Sequence, residues 1–175
     1  MSYSELLLGC GNARDKRIKF TLVPDDWQNL TTHDVDPESK ADVIHDLDVF
    51  PYPWSDNQFD EVHAYEVLEH CGQQGDAVSF FAQFAELWRI LKPGGYLCGT
   101  VPQWNSPMAW GVPDHKRVMP KELFTVLDAR YYEDLGKESG KGKADYRKFL
   151  KTTNFAGLAF QEGEYQMGFV LQAIK

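Results

Sequence analysis

The feature that most constrains this chain is its first apolar run. Leu6-Leu7-Leu8 is broken at once by Gly9-Cys10-Gly11-Asn12. A run this short, ended by glycines, reads as a buried strand entering a tight turn. Two further strand candidates end in acids: Leu30-Thr31-Thr32-His33-Asp34-Val35-Asp36-Pro37 and Ala41-Asp42-Val43-Ile44-His45-Asp46-Leu47. Phe59 to Tyr65 is a fourth candidate. The stretch from Asn12 to Asn29 has no sustained helical period and predicts a short helix or a loop.

Gln73 to Leu91 carries the strongest helical pattern. Asp76 is placed to cap it. One apolar stripe runs through Val78, Phe81, Ala82, Ala85 and Trp88 and a second through Phe80, Phe84, Leu87 and Leu91, so both flanks are expected to be buried. Lys92-Pro93-Gly94-Gly95 ends the helix, and Tyr96 to Val101 follows as a strand. Further on, Lys121 to Ala129 and Asp145 to Thr153 read as helices, with a solvated Lys/Gly loop over Gly136 to Lys143. Phe155 to Glu162 and Gln166 to Ile174 read as the arms of an antiparallel hairpin around Gly163-Glu164-Tyr165. Strands alternating with helical or turn segments predict an α/β fold with a parallel sheet, and 175 residues suffice for one domain spanning 1–175.

Charge is distributed unevenly. The net charge is −8, yet residues 1–100 hold 17 acids and 7 bases, and 11 acids against the single base Lys40 lie between Thr31 and His70. Such a balance argues against tight nonspecific binding to nucleic acid. Cys10, Cys71 and Cys98 form no Cys-x-x-Cys pair and no histidine pair has the spacing of a metal site, so no metal is predicted. The N-terminus has no basic segment ahead of an apolar one, and no run approaches the roughly 18 residues of a membrane span, so a cytoplasmic protein with no membrane partner is expected.

The order of elements has a chemical logic. In open α/β sheets, ligands lie beyond the C-terminal strand ends at the point where strand order reverses. Glycines after the first strand let backbone approach a ligand. An acid ending the second strand can accept ribose hydroxyls, and one after the third can accept an adenine amino group.

Three segments, Leu6 to Asn12, His33 to Pro37 and Ala41 to Leu47, resemble the successive S-adenosylmethionine contacts of class I methyltransferases. Phe59-Asp60-Glu61-Val62 with Val67-Leu68-Glu69-His70 resembles that family's fourth-strand motif. Leu87 to Leu97 resembles its helix-to-fifth-strand motif. The resemblance covers residues 5–102 and is nearest to short phage and prophage methyltransferase-like proteins. It implies a Rossmann-like doubly wound seven-stranded sheet, mostly parallel with an antiparallel C-terminal strand, minimal and with a shortened first helix. Residues 1–102 would form the cofactor half, and 103–175 the substrate-side loops, helices and final hairpin. It further implies that Gly9, Cys10 and Gly11 line the methionine and ribose portion of S-adenosylmethionine. Asp34 would bind the ribose hydroxyls, with Asp36 the competing choice and Val35 beside them. Asp46 would meet the adenine amino group and Leu47 the ring, while Tyr65 and Glu66 would face the sulfonium end. In this sequence Leu7 stands where the family often has an acid, and Ala13 where it has a third glycine.

Placing the nucleophile in line supplies much of the rate in methyl transfer, and a base is needed only where the acceptor must lose a proton. Glu66, His70 and His115 are the candidate catalytic groups, with Asp114 adjacent. Asp114-His115-Lys116-Arg117 and the Trp104 and Trp110 segment lie where the family often places substrate elements. No Asn/Asp-Pro-Pro-Tyr/Phe follows the fourth strand and no Pro-Cys occurs, so DNA methylation is disfavoured. RNA stays open through the RDKRIK and Lys-rich 137–151 stretches. The reading is a methyltransferase for a small molecule or a protein side chain. Its alternative is an S-adenosylmethionine-binding module without transfer activity, serving regulation or assembly. Neither oligomeric state nor acceptor is fixed by the sequence.

Overall fold

Residues 2–175 are described by a computed structural model. Seven strands form one sheet: β1 (Glu5–Leu8), β2 (Leu30–Asp34), β3 (Val43–Ile44), β4 (Phe59–Tyr65), β5 (Leu91–Pro102), β6 (Phe155–Glu162) and β7 (Gln166–Ala173). Their spatial order is β3-β2-β1-β4-β5-β7-β6. β1 pairs parallel with both β2 and β4, β2 with β3 and β4 with β5, whereas β7 runs antiparallel to β5 and β6. The chain first builds outward from β1 to one edge and then returns to β4. The switch point therefore lies between the C-terminal ends of β1 and β4, where such sheets open a crevice.

One face of the sheet is covered by α1 (Ala77–Ile90). The Asp76 carboxylate accepts the Ser79 N–H at 3.0 Å and so caps the helix. Phe80, Phe84, Leu87 and Ile90 are buried against Phe59, Leu97 and Phe169 of the strands. The stripe through Val78 joins this contact only in part: Phe81 is buried, but Val78 is 69% exposed and Ala82, Ala85 and Trp88 are half-buried, so the expectation of two fully buried flanks is corrected. The remaining helices are short, α2 (Pro107–Gly111) and α3 (Lys121–Thr125).

The opposite face departs from the predicted architecture. Residues 9–29 carry no helix at all, rather than a shortened one. They pack as a loop whose Ile18 and Trp27 close over Leu7, Cys10 and Tyr65. What fixes this loop is a buried polar network. Lys16 Nζ sits 2.7 Å from Glu5 Oε1 and 2.9 Å from Glu61 Oε2, and all three side chains are almost fully buried. Glu5 Oε2 accepts the backbone N–H groups of Gln28 and Asn29, and Tyr65 Oη accepts those of Arg17 and Ile18. These side-chain acceptors take the place of helical hydrogen bonds for a backbone that has none. The helix expected over Asp145 to Thr153 is likewise only a 3-10 turn at Arg147–Phe149. Among the described residues no helix is long and apolar enough to cross a membrane.

Candidate functional site

At the switch point β1 gives way to Gly9 and Gly11, both in the left-handed region at φ +57° and +47°. Gly9 is required for two reasons. A side chain there is strained, and its Cβ would stand 2.3 Å from Val67 Cγ2, a residue just past β4. Gly11 faces open space, and its N–H points to Asp34 Oδ2 at 2.7 Å. Cys10 N–H donates to the His33 carbonyl at 2.9 Å, and Arg14 Nη1 donates to the Gly11 carbonyl at 2.8 Å. The turn is thus held rigidly from β2 and from the loop that follows it.

A cavity of about 430 Å³ lies beside this turn. Gly9, Asp34, Val35, Asp46, Leu47, Glu66 and His70 line it, as the sequence leads one to expect. Asp34 is 9% exposed, and each of its oxygens accepts one backbone N–H, from Gly11 and Asp36. A carboxylate has about four acceptor directions, so Asp34 keeps two for a ligand. Asp36 is exposed and caps the 3-10 turn at Pro37–Ser39 through the Glu38 N–H at 2.9 Å. Asp46 is exposed at the cavity wall, and among the described residues its carboxylate accepts only the Asp48 N–H. Val35 is 62% exposed, although apolar, and Leu47 is buried beneath.

Two predicted cofactor contacts lie elsewhere. The Tyr65 side chain turns to the opposite face of the sheet, where its hydroxyl holds residues 17 and 18 and meets His63 Nδ1 at 2.7 Å. The Cys10 side chain is buried in the same cluster, and only the backbone at position 10 belongs to the turn. Strand alternation explains the first correction: in β4, Tyr65 shares a face with His63 and Glu61, not with Glu66.

Glu66 ends β4 in the left-handed region, φ +58°, which is unusual for a residue other than glycine. Its N–H donates to the Thr100 carbonyl at 2.9 Å, which fixes it against β5. Burial raises its carboxyl above the usual range, and Oε1 is buried with no partner among the described residues. Glu66, His70 and Asp114 also line a second cavity of about 610 Å³, closed by Met108, His115, Tyr165 and Gln166. The two cavities therefore share Glu66, His70 and Asp114 in their walls. Beyond them, Trp104 and Trp110 stand 49% and 71% exposed on the α2 segment.

His33 and His45 also line the first cavity, and His33 Nδ1 has no partner among the described residues. Lys116 joins the same wall and pairs with Asp48 at 2.9 Å. Glu69 is 1% exposed with neither carboxylate oxygen bonded among the described residues, and burial pushes its carboxyl up to about 8. Except for His33 in β2, these residues lie outside the strands, where no sequence period marks them.

The sheet order and a crevice of this composition define a class I methyltransferase fold. The family described as "Methyltransferase domain" matches residues 6–99, more than half of the chain, and the chain belongs to that family. No curated protein sequence matches it. Among solved structures, it is similar to the N-methyltransferase NodS from Bradyrhizobium japonicum WM9 in complex with S-adenosyl-L-homocysteine. The identity there is 15% and the TM-score 0.59, over 99% of this chain and 79% of the other. A SAM-dependent methyltransferase from Archaeoglobus fulgidus aligns at 14% identity and TM-score 0.59, over 97% and 86%. The [4+2]-cyclase SpnF aligns at 16% and 0.55, over 98% and 75%.

Membership in the family makes S-adenosylmethionine the cofactor, and the crevice residues fit it. The turn admits close approach, Asp34 has acceptor capacity for hydroxyls, Asp46 for an amino group, and Val35 and Leu47 offer apolar surface for a ring. The unpartnered Glu66 oxygen suits a cationic neighbour.

Proposed function

We propose that this chain, as a single domain, transfers the methyl group of S-adenosylmethionine to a small molecule or a protein side chain. The observation that carries this reading is the wall, Glu66 included, that the two cavities share. Gly9, Gly11, Asp34, Val35, Asp46 and Leu47 hold the cofactor on one side. His70, Asp114, His115 and Tyr165 surround the acceptor on the other.

The bound sulfonium supplies an activated methyl group. The protein's part is orientation and water exclusion, which well-placed reactants turn into most of the acceleration. Glu66, fixed by its backbone bond to Thr100, presents a carboxylate where the two reactants meet. It can accept a proton from an acceptor that must lose one.

Calorimetric titration of S-adenosylmethionine, followed by a screen for S-adenosylhomocysteine release with amine, hydroxyl and peptide acceptors, tests the reading. Binding and release support it. Absence of binding by folded protein overturns it. A second reading, a binding module without transfer, draws on SpnF, a neighbour whose name denotes a cyclase rather than a methyltransferase. It predicts binding with no release for any acceptor.

A further inference from the structure

We propose that Glu69, His70 and His115 form a binding site for one divalent transition-metal ion beside the acceptor cavity. Forty-four residues separate His70 from Asp114, yet the fold brings the rings of His70 and His115 to 4.7 Å between centroids. One donor atom from each of Glu69, His70 and His115 lies within 4.8 Å of the other two. The approach is built by backbone: the Glu69 carbonyl accepts the N–H groups of Lys116 at 2.9 Å and Arg117 at 3.0 Å, which clamps the 114–117 segment onto the turn after β4.

Two features point to a missing ligand rather than a chance cluster. Among the described residues, the buried Glu69 side chain has no partner for either carboxylate oxygen, and the buried His115 Nδ1 has none. Native proteins rarely leave such groups unsatisfied without a functional reason. In addition, His70 Nδ1 is hydrogen-bonded to the Asp114 backbone carbonyl at 3.3 Å, with Asp114 Oδ2 3.2 Å away. An oxygen acceptor on one ring nitrogen, carbonyl or carboxylate, fixes the tautomer and orients the ring, the usual arrangement behind a metal-bound histidine.

A second donor cluster shows what a satisfied site looks like. Glu61, His63 and Cys98 are equally close together, but Lys16, Tyr65 and each other occupy their oxygens and ring nitrogens. That cluster is structural. The Glu69 cluster is not.

Two imidazoles and one carboxylate with open positions suit manganese, iron, cobalt or zinc better than magnesium or calcium. His70 and His115 both line the second cavity, so the open positions face the acceptor. In this part the inference rests on the methyl-transfer reading: the ion would hold an acceptor hydroxyl and acidify it. The hydroxyl proton passes to the Glu66 carboxylate. The oxygen lone pair then forms the new C–O bond as the carbon–sulfur bond breaks, its electron pair returning to sulfur.

The test uses the full chain, stripped with a chelator and free of S-adenosylmethionine, titrated separately with Mn²⁺ and Zn²⁺ by calorimetry. One-to-one uptake of at least one ion is expected. His115→Gln and Glu69→Gln should weaken it by more than about 100-fold, and Asp114→Asn by about tenfold, as ligand and supporting residues do. Circular dichroism and thermal unfolding of each variant report folding; if Glu69→Gln fails that control, the half-buried His115 decides alone. Failure of both ions to bind one-to-one, or binding unchanged in His115→Gln, overturns the proposal. Metal uptake without S-adenosylmethionine binding would uphold this site and strike down the methyl-transfer reading.

Discussion

The Asp34 carboxylate accepts the Gly11 N–H at 2.7 Å and so ties the end of β2 to the turn that closes β1. The same group that has spare acceptor directions for a ribose therefore also sets the path of the glycine turn. Cofactor contact and turn geometry are coupled through one side chain. This coupling explains how the crevice keeps its shape although no helix follows the turn.

Gly9 tests the shape of that crevice. Gly9→Ala adds a Cβ 2.3 Å from Val67 Cγ2 on a backbone at φ +57°. The expected loss is about 2–4 kcal/mol in unfolding free energy, since left-handed strain and overpacking act together. Val67→Ala in the same chain should recover part of it, because only the clash is relieved. Denaturant unfolding of the two single variants and the double variant measures this. Strict additivity would contradict the contact.

Lys16 tests the network that replaces the first helix. Lys16→Met leaves Glu5 and Glu61 buried side by side without their cation. Breaking a buried ion pair from one side costs about 3–5 kcal/mol. The loss should show as a lower denaturation midpoint with unchanged slope. A loss below about 1 kcal/mol would mean that the loop is held by Ile18 and Trp27 instead.

His63 makes stability depend on pH. Burial lowers its pKa from 6.5, outweighing the raising influence of Glu61, so the folded protein holds the ring neutral. Below about pH 6.5 the unfolded chain takes up a proton that the folded chain refuses. Stability then falls as pH drops, by up to about 1.4 kcal/mol per unit for this group. Comparing wild type with His63→Gln from pH 7.5 to 5.5 should show a shallower slope in the variant. Equal slopes would contradict this assignment.

Strand-level structure was legible because it follows local rules. The run Phe59 to Tyr65 forms a strand with the bounds read, and Asp76 caps its helix through a short side chain acting three residues ahead. The glycine turn and the strand-end acids were legible for the same reason. Residues 9–29 were not, because their order depends on Lys16 meeting Glu5 and Glu61, a long-range contact with no local period. Tyr65 was misplaced when adjacency to Glu66 outweighed strand alternation. The Glu69, His70 and His115 cluster stayed hidden because His115 is distant in sequence from the adjacent pair Glu69 and His70 and meets them through the backbone clamp at Glu69.

The most direct test of the central claim is calorimetric titration of S-adenosylmethionine into wild type, Asp34→Ala and Asp36→Ala. Wild type should bind one equivalent. Asp34→Ala should lose at least about tenfold in affinity, ~1.4 kcal/mol or more, because a buried charge-assisted acceptor is removed. Asp36→Ala should stay within about threefold, since Asp36 is exposed and caps a 3-10 turn. No binding to folded wild type, or equal losses in the two variants, would contradict the cofactor site described at the β1–β4 switch point.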